Sequence, residues 1–326
     1  MPRRPRMTLR PYQLLCAVCS LGSNSPRTID PKIRKILRAV RKSPDMPITL
    51  RCNTGDVFAY QAPGAADDTP GGAEYNLKRD LEILHKINLF PGSTLPARII
   101  FNRVLERIED VSGICGFDPV TSDAWKGCRK ANSGTYRRGR ATGLETIVPR
   151  RTSRELKREK KESLAAMYKA GTIRVRPHIL VCSVCQYGRG TMPPYPEDNL
   201  PELLQLVLKK QDTLITLAPY ADWMMCAPCP YRCPSLNACV NNRGVGGLSN
   251  EMRDLRVLQK LGLTFGSTMK GGDLYRLILK RIHGTLETCK LDHSGLSVWS
   301  TGCGSATTDS KDYAKGRKLL IAELGD

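Results

Sequence analysis

Apolar residues along this chain fall into short blocks, and their spacing predicts alternating strands and helices. Two continuous apolar runs, Gln13–Cys19 and His178–Cys185, each precede a glycine (Gly22, Gly188) and predict short buried strands. Asp30 before Pro31 has the form of an N-cap followed by a first-turn proline, which predicts a helix start. Over Leu200–Lys210, the residues Leu203, Leu204, Val207 and Leu208 share one helical face. The β-rich runs Ile48–Leu50 and Ile215–Leu217 predict strands. Two further helices are expected near Leu77–Ile87 and Pro96–Ile108, with counterparts at Glu251–Lys260 and Asp273–Ile282. Strand, helix and strand in this order permit a parallel pair joined by a right-handed crossover. The expected class is α/β, from a unit of roughly βαβαα closed by cysteine-bearing loops.

The unit occurs twice. Arg10–Cys19 recurs as Arg176–Cys185, and Arg79–Leu89 recurs as Arg253–Leu263. Gly92-Ser93-Thr94 matches Gly266-Ser267-Thr268; Cys115, Trp125 and Cys128 match Cys289, Trp299 and Cys303; Tyr136–Arg140 is echoed by Tyr313–Arg317. Collinear matches over both halves predict an internal duplication. The first copy is expected over residues 1–141 and the second over 175–326. Between them, 142–174 predicts a basic connector. Its centre, Thr152–Ala170, opens with the capping-box pair Thr152 and Glu155 and stops at Gly171, so it predicts a helix.

The 326 residues are 40% hydrophobic and 25% charged, as in ordinary globular proteins, and suffice for two cores. What changes the picture is a formal charge of +20 and 13 cysteines. No apolar run is long enough to cross a membrane. The basic start followed by Leu14–Leu21 imitates a secretory signal, but the same segment recurs in mid-chain, where a cleaved leader has no reason to be. The expected compartment is therefore reducing cytoplasm, where clustered cysteines favour metal or redox chemistry over disulfides.

The cysteines parse into groups. Both copies keep an early C-x2-C and a late pair: Cys16, Cys19, Cys115 and Cys128 in the first, Cys182, Cys185, Cys289 and Cys303 in the second. Only the second adds Cys226, Cys229, Cys233 and Cys239, and Cys52 remains over. Two separated thiol pairs often converge on one tetrathiolate site. On a straight strand Cys16 and Cys19 would face opposite ways, so convergence requires a turn there. Buried packing and a redox dithiol are the competing explanations of these shared pairs. In Cys226–Cys239 three prolines predict a knuckled loop with no core to fill, which favours a metal site. Another grouping brings Cys182 or Cys185 onto Cys226, Cys229 and Cys239 and leaves Cys233 out.

The second half resembles a small uncharacterised family of bacterial and archaeal proteins that opens with Arg-Pro-His-His-Leu-Leu-Cys. The resemblance rests on Arg176–Cys182, Gly188 and Gly190, Cys226-x-x-Cys229-Pro230, Cys239, and Asp254 followed by Val257, Leu258 and Leu261–Leu263. It implies an iron–sulfur cluster. Ile179 replaces the second histidine of that opening. The first copy has Tyr12-Gln13 there and no C-x-x-C-P within Asn53–Gly64, so the implied cluster belongs to the second copy.

Other chemistry is sparse. His178 is either a ligand or a hydrogen-bonded core histidine. Gly92-Ser93-Thr94 and Gly266-Ser267-Thr268 could cradle an anion, or could simply end one helix and cap the next. No phosphate-binding loop, dinucleotide fingerprint or Ser-His-Asp pattern appears. A thioredoxin-like dithiol would need its pair at a helix N-terminus, which the expected elements do not provide. The charge suggests a polyanion partner, with Lys157, Arg158, Lys160 and Lys161 as candidate nucleic-acid contacts. The expectation is thus a cysteine-ligated iron–sulfur protein serving electron transfer, sensing or structural support for a protein or redox partner. The alternative is a structural-zinc protein that binds RNA or DNA.

Overall fold

The computed structural model describes residues 6–25, 29–53, 68–116, 119–234, 237–239, 245–290 and 308–325. The chain is a mixed α/β protein that divides into two compact units, Met1–Arg150 and Arg151–Asp326. Each has its own apolar core.

In the first unit β1 (Met7–Leu9) is followed by α1 (Pro11–Leu21), α2 (Pro31–Lys42), β2 (Pro47–Leu50), α3 (Ala73–Lys86), β3 (Thr94–Pro96) and α4 (Ala97–Arg107). A 3-10 turn at Asp123–Trp125 and the helices α5 (Thr135–Ala141) and α6 (Leu144–Ile147) complete it. The central strand β2 pairs parallel with β1, Ile48 opposite Met7, and antiparallel with β3, Ile48 opposite Leu95. Ile48 and Leu50 are fully buried, each contributing roughly 1.5–3 kcal/mol of apolar transfer. The Asp30 side chain accepts the Lys32 N–H at 2.7 Å and sets the start of α2, as its sequence predicts.

The second unit opens with α7 (Ser153–Lys169), then β4 (Thr172–Val175), α8 (Pro177–Arg189), α9 (Leu200–Lys209), β5 (Leu214–Leu217) and α10 (Trp223–Cys226). A two-stranded hairpin follows, β6 (Arg232–Cys233) against β7 (Ala238–Cys239). The remainder is α11 (Val245–Leu261), β8 (Thr268–Lys270), α12 (Gly271–Arg281), α13 (Leu286–Cys289) and α14 (Lys311–Leu324). Here too the central strand β5 is parallel to one neighbour, β4, and antiparallel to the other, β8.

Several expectations need correction. Gln13–Cys19 and His178–Cys185 are helix, not strand. Pro11 and Pro177 stand in the first turns of α1 and α8, where a fixed φ helps and a missing N–H costs nothing. The Gln13 carboxamide accepts the Arg10 N–H at 2.8 Å. Leu14, Leu15, Ala17 and Val18 are all buried, so an apolar run this short fits a buried helix as well as a strand. The parallel partner of the central strand is the short segment just upstream, and a third strand stands on the other edge. Each unit thus runs β-α-α-β before its later helices, not βαβαα. The basic helix α7 has the expected capping box between Thr152 and Glu155, but it belongs to the second unit. Its Met167 and Ser163 are buried, and Ser163 accepts from Asn199 Nδ2 at 2.8 Å.

The cysteine-bearing helices are each crossed by a late helix at bare backbone. A Cβ on Gly139 of α5 would lie 1.9 Å from the Val18 carbonyl oxygen, and one on Gly316 of α14 would lie 2.0 Å from that of Val184. Only glycine permits such an approach. Tyr136 and Tyr313 tie the late helices to the ends of α4 and α12 by donating to the carbonyls of Ile108 and Ile282 at 3.1 and 2.9 Å. Among the described residues no helix is long and apolar enough to cross a membrane.

Candidate metal centre

Because α1 is a helix, Cys16 and Cys19 lie about one turn apart on the same face, with no strand-ending turn required. The loop after α4 supplies Cys115 and Cys128, joined by a hydrogen bond from the Cys128 N–H to the Cys115 carbonyl at 2.6 Å. All four thiols line one cavity of about 1340 Å³, together with Tyr12 and Arg79. Burial pushes Cys16 up to about 12, helped by Cys19 and Cys128, while Cys19 is pushed up to about 11 by burial and by Cys128. Cys115 is raised by burial and by the other three thiols. Four groups that feel one another's charge therefore converge from two distant segments. Without a cation or cluster to draw off their protons Cys16, Cys19 and Cys115 are neutral thiols at pH 7. The place of Cys16 and Cys19 in the second half of α1, away from the positive end of the helix, gives a dithiol catalyst no activation.

In the second unit Cys182 and Cys185 are likewise one turn apart on α8, and the charges of Cys185 and Cys289 both act on Tyr313. Their fourth expected partner, Cys303, lies outside the described residues, as does Trp299.

The second candidate centre is Cys226–Cys239. Cys226 ends α10, which Asp222 caps by accepting the Met224 N–H at 2.9 Å. Cys233 and Cys239 sit on the β6–β7 hairpin, so the segment is not loop throughout. Burial raises Cys226, with further contributions from Cys229 and Cys239; Cys229 is pushed up to about 11. The hairpin register pairs Arg232 with Cys239 and Cys233 with Ala238, which sets the fully buried Cys233 on the face opposite Cys239. The charges of Cys229 and Cys239 both act on Cys226.

Three residues that spacing could not reveal shape this loop. Arg151 donates to the Ala227 carbonyl at 2.6 Å and to the carbonyls of Cys229 and Arg232, and pairs with Glu159 at 2.7 Å. Asp198 adds its charge to Cys226 and Cys229, and burial pushes its own carboxyl up to about 6. Asn250 reaches the Cys239 sulfur at 3.8 Å. Among the described residues no three His, Cys, Asp or Glu side chains close up tightly enough to hold a single metal ion.

His178 is a core anchor. Its Nδ1 lies 2.7 Å from Asp254 Oδ1, and Asp254 Oδ2 pairs with Arg176. Burial pushes His178 below its ordinary value, against the pull of Asp254. The glycine–serine–threonine segments are turns into the edge strands. Gly92 and Gly266 spend their N–H groups on the carbonyls of Leu50 and Leu217, at 2.7 and 2.8 Å, leaving neither for an anion. Of the basic residues on α7, Lys157, Arg158 and Lys161 are exposed, and Arg158 pairs with Glu162 at 3.7 Å. Lys160 instead turns inward to Glu202 and the Asp198 carbonyl. It is an interior ion pair, not a surface contact.

No family model, no curated protein and no solved structure matches this chain.

Proposed function

We propose that this is a cysteine-ligated iron–sulfur protein. Its best-formed centre is the quartet Cys16, Cys19, Cys115 and Cys128, and a second centre is built on Cys226, Cys229 and Cys239. One observation carries the proposal: four mutually interacting thiols from α1 and a distant loop share the wall of one cavity. Thiolate sets of this kind suit soft metals and clusters. A lone tetrahedral zinc has Zn–S bonds of about 2.3 Å, so its sulfurs crowd within about 4 Å of one another. The same thiols would serve such a zinc, and the preference for a cluster comes from the resemblance of Arg176–Leu263. When bound, the cluster would supply one-electron chemistry or a structural cross-link. The chain's own part is to hold the sulfurs and exclude water, in service of electron transfer, sensing or support of a partner. Cysteines clustered at such spacings suit a reducing cytoplasm.

The same proposal makes the two units copies of one duplicated ancestor. Beyond sequence, the glycine crossings, the two tyrosine hydroxyls, the buried pairs Arg10–Asp80 and Arg176–Asp254, and the cross-strand pairs Thr49–Thr94 and Thr216–Thr268 recur at corresponding positions. A nucleic-acid role gains less support, because the basic face of α7 is interrupted by Glu155 and Glu162 and loses Lys160 to the interior.

The test is anaerobic purification of the full chain with assays for iron, labile sulfide and zinc. Iron with sulfide and a visible absorbance band are expected. Cys16→Ser with Cys115→Ser should remove the first centre's share, and Cys52→Ala should not. Stoichiometric zinc without sulfide would replace the cluster by the zinc alternative, and metal-free protein would overturn both.

A further inference from the structure

We propose that the cavity of the first unit also binds a small oxyanion-bearing molecule, a carboxylate or a phosphate, at Arg79. Nothing in this requires metal on the thiols. Arg79 is 2% exposed and lines the cavity beside them. Its Nε donates to Asp80 at 3.3 Å and its Nη1 to Thr69 Oγ1 at 3.0 Å. The guanidinium carbon lies 4.0 Å from the centre of the Tyr12 ring and 5.2 Å from that of Tyr75. Two aromatic walls and two acceptors thus fix the plane of the guanidinium. Its Nη2 is buried with no hydrogen-bond partner among the described residues.

A buried donor of this kind is rare unless something completes it. A fixed guanidinium edge matches the paired oxygens of a carboxylate or phosphate. The hydroxyl of Tyr75 donates to the Cys115 carbonyl at 2.8 Å and faces the same guanidinium as a hydrogen-bond acceptor. At the rim Lys126, Arg129 and Lys130 are exposed, and Asp30 is the acid among the cavity's lining residues. Asp80 and Asp68 lie behind, where they are shared with Arg10. A positive rim raises the local concentration of anions and guides them in. The cavity's 1340 Å³ exceeds the roughly 300–1,000 Å³ of ordinary ligand pockets, so the thiols do not use all of it.

The experiment is calorimetric titration of the full chain as purified, metal content measured alongside, with inorganic phosphate and separately with succinate, each against matched chloride. Saturable binding of at least one anion above the chloride background is expected, and which one binds identifies the headgroup. Arg79→Gln should weaken it by at least about tenfold, and Arg79→Lys should retain part of it, since lysine keeps the charge but not the fork. Neutralising Lys126 and Lys130 should cost only roughly two- to threefold, as for screened rim charges. If the Arg79 variants do not fold, Ser20→Phe should abolish binding by filling the cavity from α1. No saturable binding to the wild type, binding unchanged in Arg79→Gln, or binding retained in Ser20→Phe overturns the proposal. Loss of metal together with anion in Arg79→Gln would place Arg79 in the thiol centre and overturn it equally.

Discussion

The buried acids of the two units, Asp80 and Asp254, do the same job with different partners. Each ties the N-terminus of a cysteine-bearing helix to a later helix through an arginine, Arg10 at 2.5 Å in the first unit and Arg176 at 2.6 Å in the second. In the second unit His178 takes the other carboxylate oxygen, so Arg253 is left to turn to Asn250 at 2.7 Å. In the first unit Tyr12 stands at the histidine's position and offers no ring nitrogen. Arg79 then serves Asp80 itself, stacked on Tyr12. One substitution in a helix's first turn thus redirects an arginine. The first unit keeps it at the thiol cavity; the second sends it towards the asparagine that touches Cys239.

The largest effect that tests this contrast is removal of the acids. Asp80→Asn takes from the buried guanidinium groups of Arg10 and Arg79 the carboxylate that they share. Stranding buried charge costs about 3–5 kcal/mol. Asp254→Asn strands one arginine beside a neutral histidine and should cost less, about 2–3 kcal/mol. Denaturant unfolding of the full chain, with hydrogen exchange to locate the loss, measures both. Equal costs, or a larger one for Asp254→Asn, would remove the distinction drawn between the anchors.

A smaller and more local effect is expected from Arg151→Ala. Its guanidinium holds three carbonyls of the cysteine loop, and their loss should cost about 1.5–3 kcal/mol in that loop, as for hydrogen bonds to a charged group. Metal bound to Cys226, Cys229 and Cys239 should fall, while metal on the first unit's quartet stays. Parallel loss from both centres, read by metal analysis with Cys16→Ser as reference, would show that the centres are not independent.

Which parts were legible in sequence follows from how local each signal is. The cap at Asp30, the capping box of Thr152 with Glu155, and the central strands at Ile48 and Ile215 are written in adjacent residues, and they formed as expected. The cysteine helices were missed because an apolar run of seven or eight residues has no period that separates a buried strand from a buried helix. Pro11 and Pro177, helix-start residues, were the overlooked signal. The edge strands β3 and β8 are three residues each, too short to show alternation. Arg151, Arg79 and Asp198 were invisible as site residues because proximity, not spacing, defines what they do. Arg151 looked like one more charge in a basic run, yet its partners lie 76 to 81 residues downstream.

The smallest expected effect is a pH dependence confined to the second unit. Burial holds folded His178 below its ordinary value, about 6.5 in an unfolded chain. As pH falls through that value the unfolded chain takes up the proton first, so acidification favours unfolding. The stabilising contribution is therefore complete above about pH 6.5 and is lost progressively as pH falls towards the folded value. Asp254 acts in the same direction: burial raises its carboxyl, but His178 and Arg176 more than reverse this and hold it below the ordinary value. Its loss begins only near pH 4, where carboxylates titrate; Asp198, pushed up to about 6 by burial, does titrate between pH 7.5 and 5.5, and the comparison with His178→Gln cancels it. Tyr12, the corresponding residue of the first unit, carries no imidazole. Over that interval the wild-type Tm for the second unit should fall by roughly a few degrees more than that of His178→Gln. Hydrogen exchange should place the difference on α8 and α11. Equal pH slopes for wild type and variant would mean that the imidazole at Asp254 is no more than a spacer, interchangeable with the stacked pair of Tyr12 and Arg79.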